Sequence, residues 1–449
     1  MSLVGLVSFL VIVGIVAISS FKANANTVKL LIILCFFQNI YILLLSRWLT
    51  GTDYIMLCLI KEILVYLTIF LSFFKKRRID RTEIYAFAAL LVLVLYVLLR
   101  MDFSMSVIAS FRQLSIPFLF YIFGRSVKLK EGDFVKVIRI FITLSIFTVL
   151  FGLIQVMVGP AFFDKMGMKD YMEIKYGFLQ MRDGYYIPTS MLSWDFVKYT
   201  GKVYLRLASF LVDPVILSQI LALAYLLVTF DYCGELTGKR KKLYSIVLLV
   251  GVILTLGKGG ILITAFSFVY LWGKRNGQRK IISYIAYIFV AIVCVFLIEG
   301  AGEGESISLH MAGLTDNIQV MKQNPLGTGI GTQGNMAIKY YEVKNVEVSG
   351  ESFVGAVMGQ MGIIGIVIYC VFMYGLYTKY RRMKHYNKLY NIVFIATNSM
   401  WITSFLNNTA VSFTNCFMYM VVLGFSEYSI ELYSGYVGRS DENIEEKMQ

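Results

Sequence analysis

The stretch LVGLVSFLVIVGIVAISS, residues 3–20, contains no charged residue and decides the class of fold. Apolar runs of about 17 to 25 residues can cross a bilayer as one helix, in which every backbone group is bonded within its own segment. Further apolar runs lie near residues 28–48, 54–74, 84–100, 104–123, 137–158, 207–230, 243–256, 260–272, 281–298, 353–377, 389–410 and 412–433. The sequence therefore predicts an all-α polytopic membrane protein with about thirteen transmembrane helices.

The composition agrees with this class and argues against a nucleic-acid partner. Of the 449 residues, 58% are hydrophobic and 16% are charged, and the mean hydropathy is +0.69. A net charge of +14 would suggest nucleic acid in a soluble protein. Here the basic residues lie in short clusters between apolar runs, where they set orientation. We therefore expect a membrane protein that binds no nucleic acid.

The distribution of Lys and Arg predicts how the chain is threaded. They are concentrated in alternate connections, among them residues 75–78, 239–242 and 379–388. Because cytoplasmic loops carry the excess of Lys and Arg, the N-terminus is expected outside and the C-terminus in the cytoplasm. Two long connections then lie outside, a first outer loop in residues 159–206 and a second outer loop in 299–352. Helices 1–6 are predicted in residues 1–158, helices 7–10 in 207–298 and helices 11–13 in 353–433, followed by a cytoplasmic tail in 434–449.

Two cations stand at the outer ends of apolar runs. Arg206 lies where the first outer loop returns to the membrane, so it faces either lipid head groups or an anionic substrate. Lys258 lies between Gly257 and Gly259 in the short turn that joins two apolar runs. The first outer loop also mixes aromatic and charged residues, Arg182 among them, a mixture suited to sugars beside phosphate.

The second outer loop contains the glycine-rich stretch NPLGTGIGTQGN, residues 324–335. Residues 329–334 fit GxGxxG, but no βαβ context surrounds them, so a dinucleotide-binding fold is not expected. The stretch is read either as a turn whose exposed amides cradle an anion or as a tight connection back into the membrane.

Glu351 is expected to open the next membrane helix, in its first turn, and is the candidate general base. An acid there could complement the helix dipole, a contribution of about 0.3 to 1 kcal/mol, or take a proton at the water–lipid boundary. His310 is the only histidine expected outside and is the weaker candidate for that role. The chain has no DxD or HExxH motif, so chemistry without a metal or another cofactor is predicted.

These features together resemble the Wzy-type O-antigen polymerase and O-antigen ligase family. The resemblance covers about residues 206–365 and is carried by a long outer loop that ends in Arg, a basic residue in a short turn and a second loop with recurring residues. These residues are His310-x-x-Gly313, Asn324-Pro325-x-Gly327-x-Gly329-x-Gly331, Glu351-Ser352 and Gly362-Ile363-x-Gly365.

The resemblance implies a GT-C-type glycosyltransferase that acts outside the bacterial cytoplasmic (inner) membrane on glycans carried by undecaprenyl pyrophosphate. It implies that Arg206, Lys258 and Arg182 bind the pyrophosphate and that Glu351 activates the acceptor hydroxyl. The residues expected to assist are Gly327, Gly329, Gly331 and His310. Relatives commonly have Ser-Arg where Lys258 stands, and ligases commonly have His where Glu351 stands, so the departures favour a polymerase.

The expected activity is joining of lipid-linked repeat units into O-antigen, capsular polysaccharide or exopolysaccharide. Membrane lipids are expected partners, together with a flippase and a chain-length regulator of the same pathway. Two alternatives stay open. An O-antigen ligase would use the same chemistry with another acceptor. A flippase or transporter of lipid-linked oligosaccharide would use charges inside the apolar runs, such as Lys61, Glu62 and Arg112.

Overall fold

Helices make up most of the part of the chain that the structure describes. The computed structural model describes residues 1–75, 79–101, 103–130, 132–193, 200–232, 238–275, 305–340, 351–383 and 387–425. The helices are α1 (Leu3–Lys22), α2 (Ala25–Leu45), α3 (Gly51–Phe73), α4 (Arg81–Arg100), α5 (Met105–Ser126), α6 (Asp133–Val158), α7 (Ala161–Lys165), α8 (Met168–Tyr176), α9 (Pro214–Thr229), α10 (Gly238–Leu254), α11 (Lys258–Arg275), α12 (Glu305–Gln323), α13 (Asn335–Tyr340), α14 (Phe353–Met383), α15 (Lys388–Thr403) and α16 (Phe413–Gly424).

Seven of the described helices are long and apolar enough to cross a membrane, namely α1 to α6 and α14. Three shorter apolar helices lie in residues Pro214–Thr229, Lys258–Gly273 and Phe413–Gly424. The chain is therefore an all-α polytopic membrane protein. The number of about thirteen spans stays a prediction, since the run at residues 281–298 and the end of the last run lie outside the described residues.

Local sequence explains where several helices begin. Asn24 and Thr27 form a capping box at α2, and Thr50 and Asp53 form another at α3. Asp213 caps α9 by accepting from two backbone N–H groups, and Pro214 occupies the first turn, where its missing N–H costs nothing.

The structure differs from the sequence expectation in two places. The apolar run at residues 207–230 is not one helix, because its first part forms a buried 3₁₀ turn, Ser209–Leu211, and α9 begins only at Pro214. The second outer loop contains two helices, α12 and α13, for which no apolar run was identified in the sequence. Tertiary hydrogen bonds explain the first difference, because the Leu207 N–H donates to the Leu254 carbonyl and the N–H groups of Ala208 and Ser209 donate to Gln155 Oε1.

The fold divides into two compact units. The first comprises Met1–Lys76, Ser126–Ile261 and Ser426–Gln449, and the second comprises Arg77–Arg125 and Leu262–Phe425. In the first unit, the outer loop adds α7, α8 and two short antiparallel sheets. These are β1 (Met181–Arg182) with β2 (Tyr185–Tyr186) and β3 (Leu192–Ser193) with β4 (Tyr204–Leu205).

The second unit contains a buried cluster of ionic side chains. Arg125 Nε lies 3.4 Å from Asp80 Oδ2 and 3.4 Å from Glu83 Oε2, and Lys379 Nζ lies 3.7 Å from Asp80 Oδ2. The Tyr121 hydroxyl donates to Asp80 at 3.0 Å. Lys379 also donates to the carbonyls of Leu423 and Phe425. Two acids and two cations therefore face one another where α4, α5 and α14 meet, as buried charges require.

Candidate functional site

The turn between α10 and α11 is pressed closely against α9. α10 ends at Leu254, Leu256 adopts a left-handed conformation with φ 48°, and α11 begins at Lys258. A Cβ atom on Gly257 or on Gly260 would overlap Ser218 of α9. Only residues without a side chain allow this approach. Gly257 and Gly260 are therefore explained by packing, which fixes the backbone position of Lys258 between them.

Arg206 is bonded directly to this turn. Its guanidinium donates from Nε to the Thr255 carbonyl at 2.8 Å and from Nη2 to the Leu256 carbonyl at 3.2 Å. A third bond runs from Nη1 to the Ser190 carbonyl at 3.2 Å. Because Thr255 and Leu256 directly precede Gly257 and Lys258, the structure brings together the two cations that the sequence singled out separately.

The backbone on either side of Arg206 is held as firmly as its side chain. β4 pairs with β3 just before Arg206, whose own N–H donates to the Met191 carbonyl at 2.8 Å. The next residue, Leu207, donates to the Leu254 carbonyl at 3.0 Å. The segment therefore fills the space beside the end of α10, which is why no helix forms over these first residues of the apolar run.

Gln155 of α6 organises this segment and was not singled out from the sequence. Its side-chain Nε2 donates to the Arg206 carbonyl at 3.0 Å, and its Oε1 accepts from the N–H groups of Ala208 and Ser209 at 2.9 and 3.0 Å. Gln155 is fully buried. The available signal was an amide side chain inside an otherwise apolar run, since a buried amide needs several hydrogen-bond partners.

The electrostatics of the turn favour an anion. Carbonyl groups orient the Arg206 guanidinium, and a cation at the C-terminal end of α10 is favourable. Lys258 stands at the first position of α11, where the helix dipole is positive and no acidic residue occupies the first turn. The Arg206 guanidinium therefore lies beside the turn that leads to Lys258 and the N-terminus of α11, an arrangement that suits phosphate groups.

Arg182 lies in a separate hairpin of the same unit. The turn between β1 and β2 consists of Asp183 with φ 51° and Gly184 with φ 83°. Arg182 Nε lies 3.7 Å from Asp183 Oδ2, and the aspartate side chain is largely exposed. The hairpin is joined to α7, because the Tyr186 N–H donates to Asp164 at 3.1 Å.

The glycine-rich stretch of the second unit uses its amides internally. The N–H groups of Thr328 and Gly329 donate to the carbonyls of Gly359 and Gln360, each at 2.9 Å. Gly331 donates to Gln360 Oε1 at 2.8 Å, and Gly327 donates to the Asn324 carbonyl at 2.8 Å. These amides bind protein acceptors, so the geometry favours the tight connection over the anion cradle. Assistance by Gly327, Gly329 and Gly331 in substrate binding stays a prediction.

The glycine-rich stretch packs against a bend in α14. Gly362 has φ 58° and ψ −141° inside α14, and the Ile363 N–H donates to the Pro325 carbonyl at 2.9 Å. A Cβ on Gly362 would overlap that carbonyl, and one on Gly327 would overlap Gln360. Glycines of the recurring motif are therefore required where two backbones touch.

Glu351 lies immediately before α14, and its exposure is intermediate. Ser352 is the residue that caps this helix, since its Oγ accepts from the Gly355 N–H at 2.9 Å. The N–H groups of Phe353 and Val354 donate to the Ser404 carbonyl. The helix begins after Glu351, whose carboxylate therefore lies outside the first turn that the sequence had suggested for it.

The predicted site residues are divided between the two units. Arg182, Arg206 and Lys258 belong to the first unit, whereas Glu351 and the loop glycines belong to the second. His310 lies within α12 of the second unit. In the part of the chain that the structure describes, no group of three or more His, Cys, Asp or Glu side chains could hold a metal ion.

Comparison with known proteins adds no relative to this picture. No protein-family model matches the chain, and none of the curated proteins compared with it matches its sequence.

Proposed function

We propose that the protein joins oligosaccharide repeat units carried on undecaprenyl pyrophosphate into O-antigen, capsular polysaccharide or exopolysaccharide at the outer face of the bacterial cytoplasmic membrane. The observation that carries this proposal is the bonding of the Arg206 guanidinium to the two carbonyls next to the turn that ends at Lys258. The Arg206 guanidinium held by these carbonyls, together with Lys258 at a helix N-terminus, suits the pyrophosphate of a lipid-linked sugar. The resemblance to Wzy-type polymerases supplies the substrate class.

In the proposed reaction, a hydroxyl of the acceptor unit attacks the anomeric carbon of the donor chain. A new glycosidic C–O bond forms, and the bond from the anomeric carbon to the pyrophosphate oxygen breaks. Negative charge develops on the departing pyrophosphate, and Arg206 and Lys258 stabilise it. Glu351 takes the hydroxyl proton as general base. Arg182 contributes a further positive charge in the first outer loop.

The test is deletion of the gene, with complementation by wild type and by variants, followed by gel analysis of the surface glycan. We expect single surface repeat units after deletion and a restored ladder with wild type. Arg206→Gln, Lys258→Gln and Glu351→Gln should each give single units at normal protein levels. Lys258→Arg keeps the charge and should retain a ladder.

Arg47→Gln is the matched control for loss of an arginine. Arg47 is paired at 3.7 Å with Asp170 and is 60% exposed, so its loss should leave the ladder unchanged. A normal ladder in all three Gln variants would reject the assignment. Polymer that accumulates on the lipid carrier would indicate a ligase, and loss of all exported units would indicate a flippase.

A further inference from the structure

A cavity of about 510 Å³ opens between three helices of the second unit. Its lining residues are Tyr270 of α11, Met373, Tyr374, Tyr377 and Tyr380 of α14, and Phe394, Ile395 and Asn398 of α15. The volume falls in the range of small-molecule sites, about 300 to 1,000 Å³. The lining is mostly aromatic and aliphatic, which suits a hydrocarbon chain.

The wall of this groove is built rigidly. The rings of Tyr380 and Phe394 are stacked at 4.1 Å with an angle of 10° between their planes. The Tyr380 hydroxyl donates to Asn391 Oδ1 at 3.0 Å, and Asn398 Nδ2 donates to the Phe394 carbonyl at 2.9 Å. The Tyr380 hydroxyl and the Asn398 amide therefore have partners in the wall, and aromatic rings line much of the space.

The open side of the groove exposes large aromatic residues. Tyr374 is 62% exposed and Tyr377 is 46% exposed. Tyrosine is enriched where membrane hydrocarbon meets the head groups, because the ring is apolar and the hydroxyl is polar. The exposed pair therefore indicates that the groove lies next to the boundary between hydrocarbon and head groups.

One end of the groove carries exposed positive charge. Tyr374, Tyr377 and Arg381 are spaced i, i+3 and i+7, so they share one face of α14. Lys388, Ile395 and Asn398 are spaced i, i+7 and i+10 on α15 and likewise share a face. Arg381 and Lys388 are both exposed.

The two cations lie at the same end because α14 ends at Met383 and α15 begins at Lys388. Only residues 384–387 separate the helices. From Tyr377 to Arg381 the rise is about 6 Å along the helix, which is within reach of a head group whose chain fills the groove. Apolar space that ends in two cations is complementary to a lipid with an anionic head.

We infer that this groove binds an anionic phospholipid of the surrounding bilayer, with an acyl chain among the tyrosines and the phosphodiester beside Arg381 and Lys388. The site is separate from the proposed chemistry and holds whether or not the protein is a polymerase. An anionic lipid at this position joins α11, α14 and α15 and stabilises the second unit by mass action.

The test uses the full-length protein in nanodiscs of phosphatidylcholine with and without phosphatidylglycerol. Bound lipid is counted by native mass spectrometry, and affinity is measured from the rise in unfolding temperature as phosphatidylglycerol is added in detergent. We expect one retained phosphatidylglycerol. The double variant Arg381→Gln/Lys388→Gln should bind it about 30-fold more weakly, since each cation contributes to attraction of an anionic lipid.

The matched control is Lys239→Gln/Arg240→Gln, which removes the same charge from exposed residues at the start of α10. It should leave phosphatidylglycerol affinity unchanged. Ile395→Trp fills the groove while keeping both cations and should also abolish lipid binding. Tyr377→Ala, which removes part of the wall, should weaken lipid binding and serves as the second test if the tryptophan variant does not fold.

Three outcomes would overturn the inference. The first is equal binding of phosphatidylcholine and phosphatidylglycerol. The second is an equal loss of affinity in the control pair. The third is absence of retained lipid together with a disulfide between Tyr377→Cys and the native Cys294, which would show that the chain segment at residues 281–298 occupies the groove instead.

Discussion

Two regions of the molecule hold buried or partly buried cations in opposite ways. In the second unit, Lys379 and Arg125 meet Asp80 and Glu83, so charge is balanced by charge. In the first unit, Arg206 is held by the carbonyls of Ser190, Thr255 and Leu256, which are dipoles. In the balanced cluster, opposite charges compensate one another within the fold, whereas carbonyl dipoles orient the Arg206 guanidinium at the turn that leads to α11.

The difference separates a structural role from a binding role. The ionic cluster ties α4, α5 and α14 to the last described residues, through bonds from Lys379 to the Leu423 and Phe425 carbonyls. The turn between α10 and α11 instead holds Arg206 beside it and leads directly to Lys258 at the start of α11. Variants of the cluster should therefore affect folding first, and variants of the turn should affect activity first.

The largest expected effect is that of Lys379→Met. The lysine side chain is 3% exposed, and its removal leaves two acids facing one arginine. Breaking a buried pair from one side costs about 3 to 5 kcal/mol, because an uncompensated charge stays buried. The free energy of unfolding, measured by denaturant titration in mixed micelles, should fall by that amount.

Lys136→Met is the matched control for this change. Lys136 is 62% exposed and lies 4.0 Å from Asp133, one turn away on α6. Its loss should change the free energy of unfolding by less than about 0.5 kcal/mol. Equal effects of the two variants would show that the cluster does not act as a buried structural unit.

A smaller loss of stability is expected for Gln155→Ala, which tests the role of the segment that holds Arg206. The change leaves the buried N–H groups of Ala208 and Ser209 without their acceptor, at a cost of about 2 to 3 kcal/mol. Because it also releases the backbone of Arg206, the proposed polymer ladder should be lost even at temperatures where the variant is folded.

Gln180→Ala is the matched control for loss of a glutamine. Gln180 Oε1 accepts from the N–H and hydroxyl groups of Thr189 in an exposed part of the first outer loop. Water can replace it there, so stability and ladder should stay close to wild type. A normal ladder in the folded Gln155→Ala protein would mean that the position of Arg206 does not govern activity.

The smallest expected effect is a change in how the free energy of unfolding depends on pH under acid conditions. Burial would raise the pKa of Asp80, but Lys379 and Arg125, together with hydrogen bonds from the Glu83 N–H and Tyr121, outweigh it and lower the pKa. A carboxyl with a lowered pKa stabilises the fold above its unfolded pKa of about 4 and loses that contribution as pH falls further.

Asp80→Asn tests this linkage because asparagine can still cap α4, where the Glu83 N–H donates to Asp80 Oδ1 at 2.7 Å. Wild-type stability, followed from pH 7 downward, should fall below about pH 4 with a component that the variant lacks. An equal fall of the free energy of unfolding at acid pH in the two proteins would show that the Asp80 carboxylate does not contribute through its charge.

The sequence singled out candidate site residues but not the contacts that organise the segment around them. Arg206 and Lys258 stood out because each is a cation at the outer end of an apolar run. Gln155 was missed, because its role depends on the backbone of residues 206–209, which meets it only in the folded chain. Lys379 was counted with the basic cluster at residues 379–388 that is expected in the cytoplasm, yet its side chain is buried in an ionic cluster.

By itself the sequence determined that this is an all-α polytopic membrane protein, since the length and apolarity of a span are properties of consecutive residues. Helix starts at Asn24, Thr50 and Asp213 were equally local, because a cap and the N–H groups it accepts from are a few residues apart. Only the tertiary structure decided which charges are neutralised, which cations are held by carbonyls and which glycine amides are already bonded. Those outcomes depend on partners far away in the chain, and no local pattern records them.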